Sequence, residues 1–140
     1  MTTRRLDTVV RIRTLQERLA KAEVMARRSD HRRCDEEATQ AHQLVSDRAT
    51  PDAAPTSASR FVAQRSMLGA GMAITQRARH AAADARTQLD AAVESWTLAS
   101  QRLDGVERLD ERSTASAAAE QQRLEGVELD DRVVMRWGRT

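Results

Sequence analysis

Aromatic residues are almost missing from this 140-residue chain: Phe61, Trp96 and Trp137 are the only three, and there is no tyrosine. Compact cores draw on bulky aliphatic and aromatic side chains, so this shortage argues against a thick globular interior. The single cysteine, Cys34, excludes an internal disulfide and fits a reducing compartment. Two prolines and five glycines are too few to interrupt the chain often. No apolar run approaches the roughly 20 residues that a membrane-spanning helix requires. The opening MTTRRLDTVVRIR has no apolar stretch leading to a small-residue cleavage site, so it does not read as a signal peptide. Asp7 and the heptads that follow argue against a transit peptide. There is no Gly-rich phosphate loop with a Lys-Ser/Thr pair, so nucleotide binding by that device is not expected.

What the chain does contain favours helix. Alanine occurs 24 times, charged residues make up 31% of the sequence, and Arg, Glu, Leu and Gln are abundant. All are strong helix formers, and the composition is that of a long helix or coiled coil. Apolar residues recur too regularly for a disordered chain. The formal charge is only +2, and its positive part is almost entirely arginine, with Lys21 the one lysine.

The chain breaks once. TPDAAPTSAS, residues 50–59, holds both prolines, each of which removes a backbone donor and biases its predecessor away from helix. A single coiled-coil domain over 1–140 is expected, with a helix over about 4–49, a turn over about 50–59 and a helix over about 60–136. Thr56, Ser57 or Ser59 would cap the second helix by accepting from an N–H of its first turn. Gly69 and Gly71 predict a local bend or fraying early in that helix.

Spacing carries most of the information. In the first helix Ile12, Leu15, Leu19, Ala22 and Ala26 alternate three and four apart, and the pattern returns as Cys34, Ala38, Ala41 and Val45. In the second, Leu89, Ala92, Trp96, Ala99, Leu103, Val106, Asp110, Ser113, Ala117, Glu120, Leu124, Val127, Asp131 and Val134 keep the same alternation. Extended backwards it reads Ala85, Ala81, Ala78 and Ile74, with a stutter where two steps of four follow one another. Such a stripe must be buried against another helix. Residues 1–33 hold ten basic residues against four acids, and residues 101–131 hold nine acids against four arginines. Opposite fields favour an antiparallel hairpin over a parallel one. The fold class expected is therefore all-α, an elongated antiparallel two-helix coiled coil with the second helix longer. At 1.5 Å per residue the arms would reach about 70 and 110 Å, leaving the C-terminal end of the second helix projecting.

Chemistry is sparse. His31 and Cys34 share one helical face beside Asp30, short of the four ligands of a structural zinc site, so no metal is expected. No nucleophile has a base beside it, the carboxylates fall on exposed faces, and neither catalysis nor a cofactor is expected. The basic first helix raises nucleic acid as a partner, but the acidic half opposes it and no aromatics interleave for base stacking. Trp96, on the stripe among alanines, reads as a packing residue, whereas Trp137 near the end suits contact with a partner. A scaffolding coiled coil that homodimerises through its seam is the alternative to a contact protein.

Four stretches carry a resemblance: RLDTVVRIRTLQERLAKAE at 5–23, AITQ at 73–76, ESWTLASQRLDGVERLDERS at 94–113 and LDDRVVMRWGR at 129–139. In their order, and in chain length, they resemble the flagellar type III export protein FliJ family. The resemblance implies a hairpin similar to the central stalk of rotary ATPases. It implies a non-enzymatic protein of flagellum biogenesis and motility, cytoplasmic and peripheral at the membrane export apparatus. Its implied partners are the hexameric export ATPase, whose ring it would enter and help assemble, the cytoplasmic domain of the export gate, and export chaperones. On the ATPase side the implied residues are Arg4, Arg5, Arg132, Arg136, Trp137 and Arg139. On the gate side they are Gln40, Leu44 and Ala73, with Asp47 and Pro51 standing where the family has aromatics.

Overall fold

The computed structural model describes residues 2–49 and 57–138, with side chains from residue 6 onward. These residues form two helices, α1 (Thr2–Ala49) and the longer α2 (Ala58–Trp137), with no strand among them. Pro51, Pro55 and Thr56 lie outside the described residues. Of the three capping candidates, Ser57 takes the role. Its Oγ accepts from the Arg60 N–H at 3.3 Å, and its carbonyl accepts from the Phe61 N–H at 3.1 Å. A hydroxyl so placed satisfies an N–H that the helix itself leaves open.

The chain divides into two compact units, a central one of Leu19–Thr97 and a terminal one of Met1–Arg18 with Leu98–Thr140. In the central unit α1 and α2 run antiparallel. Val45 meets Gly71, His42 meets Arg79, Arg27 meets Gln88, and Val24 packs with Leu89 and Ala92, so rising numbers in α1 face falling numbers in α2. The α1 side of this seam is Ala20, Val24, Arg27, His31, Cys34, Ala38, Ala41 and Val45, all buried or half-buried. The α2 side is Gln64, Leu68, Gly71, Thr75, Ala78, Ala82, Ala85, Leu89, Ala92 and Trp96. Both alternate by three and four without interruption, as knobs-into-holes packing requires.

This seam corrects the sequence reading in two places. The stutter at Ala81 is absent: Ala82 and Thr75 are buried, while Ile74 is 55% exposed. Thr75 is tolerated because its hydroxyl donates to the Gly71 carbonyl at 3.0 Å, so its polar atom is not left unsatisfied. In the first half of α1 the larger apolar residues are outside. Ile12, Leu15 and Leu19 are exposed, and the buried stripe runs through Leu6, Val10, Arg13, Glu17, Ala20, Val24 and Arg27. Arginine and glutamate serve at a thin two-helix seam because their methylene stems cover apolar surface while the charged heads reach water. Arg27 shows this, bonding Glu23 at 2.7 Å and Gln88 of the opposite helix at 2.8 Å.

Gly71 is a close-approach position. A Cβ built there would lie 2.8 Å from Val45 Cγ2, and valine, branched at Cβ, has little rotamer freedom to yield. α2 runs unbroken through Gly69 and Gly71, with no fraying there. The two glycines therefore respond oppositely to alanine. Gly69 has nothing within 4 Å of an added Cβ, so Gly69→Ala stabilises by about 0.5–1 kcal/mol through helix propensity. Gly71→Ala gains the same propensity but overpacks the seam, and nets a loss of about 1 kcal/mol. Paired thermal melts give melting temperatures that move in opposite directions.

Candidate interaction surfaces

In the terminal unit the half-buried residues of α1 are Leu6, Val10, Arg13, Thr14 and Glu17, and those of α2 are Ala99, Ser100, Leu103, Val106, Asp110 and Ser113. Half-burial stops at Ser113. Every residue of α2 from 114 to 138 is exposed. The expected seam positions Ala117, Glu120, Leu124, Val127, Asp131 and Val134 are thus correct in periodicity but have no helix packed on them. α2, at 80 residues, is the longer of the two helices, against 48 for α1.

This segment is rich in large apolar side chains. Leu124, Val127, Leu129, Val133, Val134, Met135 and Trp137 are between 47% and 79% exposed. Arg132 and Arg136, four apart, lie together on one helical face of it. Arg123 forks onto Glu120 at 2.7 and 3.0 Å and holds that carboxyl below its usual range, while the pairing raises the arginine. A depressed carboxyl contributes above its unfolded titration range and stops contributing as pH falls through its folded value. Here the pair is exposed and salt-screened, so it holds local helix and little else.

Of the residues expected to face an ATPase, Arg132, Arg136 and Trp137 lie on the exposed end of α2. Arg4 and Arg5 sit in the first turns of α1, and their side chains lie outside those described, as does Arg139. Arg132 and Arg136 are 19 and 23 residues past Ser113, about 28 and 35 Å along the helix. No α1 residue packs beside them.

The gate-side set divides differently. In the central unit Gln40 and Leu44 of α1 line a shallow groove of about 250 Å³ with Gly71 and Ile74 of α2, and with Glu37 and Arg48 at its rim. Leu44 and Ile74 are 56% and 55% exposed, which gives the groove an apolar floor open to solvent. Ala73 is not part of it. It lies exposed on the outer face of α2, where its carbonyl accepts from Arg77 Nε at 3.4 Å. Sequence reading missed Ile74 as a surface residue because it had been placed in the seam. Asp47 is exposed and accepts from Gln43 at 2.9 Å.

Trp96 behaves as expected, half-buried against Val24, Leu89 and Ala92. Cys34 is half-buried in the seam, and the nearby His31 has a buried Nδ1 without a hydrogen-bond partner. No group of three His, Cys, Asp or Glu among the described residues is arranged to hold a metal ion. Within those residues, no helix is long and apolar enough to cross a membrane. Among the described residues, the ion pairs Arg11–Asp7, Arg27–Glu23, Arg33–Asp30, Arg33–Glu37, Arg86–Asp90 and Arg123–Glu120 join residues three or four apart.

Comparison with known proteins gives one match. The model of the family described as FliJ, Flagellar FliJ protein, covers residues 2–140. No curated protein and no solved structure matches.

Proposed function

The chain belongs to the FliJ family and is a flagellar export component, and on that premise we propose that it works by contact, inserting the exposed end of α2 into the export ATPase ring. There it promotes ring assembly. The groove around Gln40, Leu44 and Ile74 contacts the export gate, so that one chain links the two, on the cytoplasmic side and peripheral to the membrane.

One observation carries this reading: a continuous helical stretch, residues 114–138, is exposed on every side yet holds seven large apolar residues and a pair of arginines. Exposed apolar surface of this extent marks a place where something else binds. Arg132 and Arg136 suit a partner with an acidic lining, and Trp137 and Met135 suit an apolar anchor point within it. Arg4 and Arg5 stand on α1 and Arg132 and Arg136 on α2, so the two sets are separable by mutation.

The test uses the purified export ATPase of the same host. Reversing Arg132, Arg136 and Arg139 to glutamate reduces stimulation of its activity by about tenfold or more, the loss of two or three charge-assisted contacts. Reversing Arg4 and Arg5 reduces it less. Helicity by circular dichroism stays unchanged in both. Full stimulation by the first variant removes the ring assignment.

A further inference from the structure

The terminal unit has a second exposed apolar face, and it lies on α1. Val9, Ile12 and Leu15 are 39%, 51% and 59% exposed and fall within about 120° of arc, running from Val9 at the flank of the half-buried stripe to Leu15 on the far side of α1. Arg11 and Arg18 border this outer face. No acid lies on it.

We propose that two copies of this chain associate through their terminal units, the end of α2 from each lying on the outer face of α1 of the other. The two surfaces complement each other in pattern and in charge. The α2 stripe of Leu124, Val127, Asp131 and Val134 has the three-four spacing of a coiled-coil seam with one acid in it, and Val9, Ile12 and Leu15 give its apolar members a counterpart. Residues 114–131 hold five acids, Glu120, Glu125, Glu128, Asp130 and Asp131, against the one arginine, Arg123. Residues 2–18 hold five arginines against Asp7 and Glu17. Docked, the acids of one copy border the arginines of the other.

Pairing of α2 with α2 is the competing arrangement, and charge disfavours it. Glu120 and Asp131 lie on the α2 stripe itself. An antiparallel pair centred between Leu124 and Val127 sets Glu120 opposite Asp131, and a parallel pair sets each against its own copy. Either way like charges meet inside the seam. The outer face of α1 offers no such clash. The two contacts are related by one two-fold axis, so assembly closes at a dimer instead of growing into a filament. In that dimer each α1 lies between its own α2 and the end of its partner's. The dimer covers residues 114–138, so it is a form in which the same segment is unavailable to other partners.

Sedimentation equilibrium of the full chain, without the ATPase, tests this independently of the ring assignment. The expected result is a monomer–dimer equilibrium with Kd of about 10–100 μM, tightening at low salt. Ile12→Glu with Leu15→Glu, and separately Leu124→Glu with Val127→Glu, each weaken it by about tenfold or more. An equimolar mixture of the two double variants recovers part of the association, because one intact contact forms between them. Thermal melts of both variants at low concentration check that the hairpin itself is intact. A wild-type chain that stays monomeric at 200 μM overturns the proposal. So does undiminished dimerisation of the Ile12/Leu15 variant, which indicates α2–α2 pairing, and so does capture of that face by anionic phosphatidylglycerol vesicles with no dimer at any concentration.

Discussion

Replacing Val24 by aspartate lowers the melting temperature of the central unit by about 15 °C or more, whereas Leu19→Asp shifts it by about 3 °C or less. Val24 is 4% exposed and packs with Leu89, Ala92 and Trp96, while Leu19 is 63% exposed. Losing a fully buried valine side chain costs about 1.5–3 kcal/mol. Placing a carboxylate there adds a desolvation penalty with no basic group in the cluster to offset it, bringing the total to about 3–5 kcal/mol. In a unit of 79 residues each kcal/mol moves the midpoint by about 4–8 °C. A thin two-helix seam has little else to fall back on, so the loss is not made up elsewhere in the unit. Circular dichroism melts of the two variants at low concentration check this. Leucine exceeds valine in bulk and hydrophobicity, so a ranking by residue type alone gives the opposite order. The contrast therefore tests the seam itself.

Removing everything after Ser113 gives the second large effect, on activity rather than stability. Residues 114–138 are exposed along their whole length, so their loss removes no packing from either unit. The melting temperature of the remaining chain changes by about 3 °C or less. The helical signal falls roughly in proportion to the residues removed, because the segment extends an existing helix and needs no nucleus of its own. Stimulation of the export ATPase, in contrast, drops by about a hundredfold or to background, as expected when the contacting element and its apolar anchors are absent. Steady-state ATPase assays across a titration of the truncated chain measure this. Retained stimulation places the contact in α1 or the central unit instead. If the truncated chain also melts much lower, the segment has a packing role that its exposure does not show.

Much of this architecture was legible in the sequence. The break at residues 50–59, the helical character of both arms and the antiparallel pairing all followed from composition, proline placement and charge. From Leu89 to Ser113 the seam was read residue by residue, because bulky and small apolar residues alternate there with charged ones. The first half of α1 was misread for a definite reason. Its outer face carries Ile12, Leu15 and Leu19 in coiled-coil spacing, while its inner face carries Arg13, Glu17 and Arg27, whose stems do the covering. A pattern that scores residue type alone ranks the outer face first. The alanine-rich stretch from Ala78 to Ala85 misled in a milder way, since adjacent alanines make a shift of one position invisible until the partner helix fixes it.

The surfaces were legible only in part. Arg132, Arg136 and Trp137 were placed correctly on a projecting end, because that follows from helix lengths alone. The resemblance named Gln40, Leu44 and Ala73 on the gate side; Gln40 and Leu44 line one groove, and the residue across it is Ile74 and not Ala73. The one-residue difference follows from the same register that buries Thr75, which no property of residues 73–76 considered alone reveals.

Amide hydrogen exchange on the full chain at low micromolar concentration, alone and with the export ATPase, tests most directly whether the end of α2 is the contacting element. The account predicts slow exchange across Thr75–Trp96 in both states, fast exchange across residues 114–138 in the free chain, and strong protection of that segment when the ATPase is added. Fast exchange at 114–138 in both states, with new protection appearing only in the central unit, contradicts it.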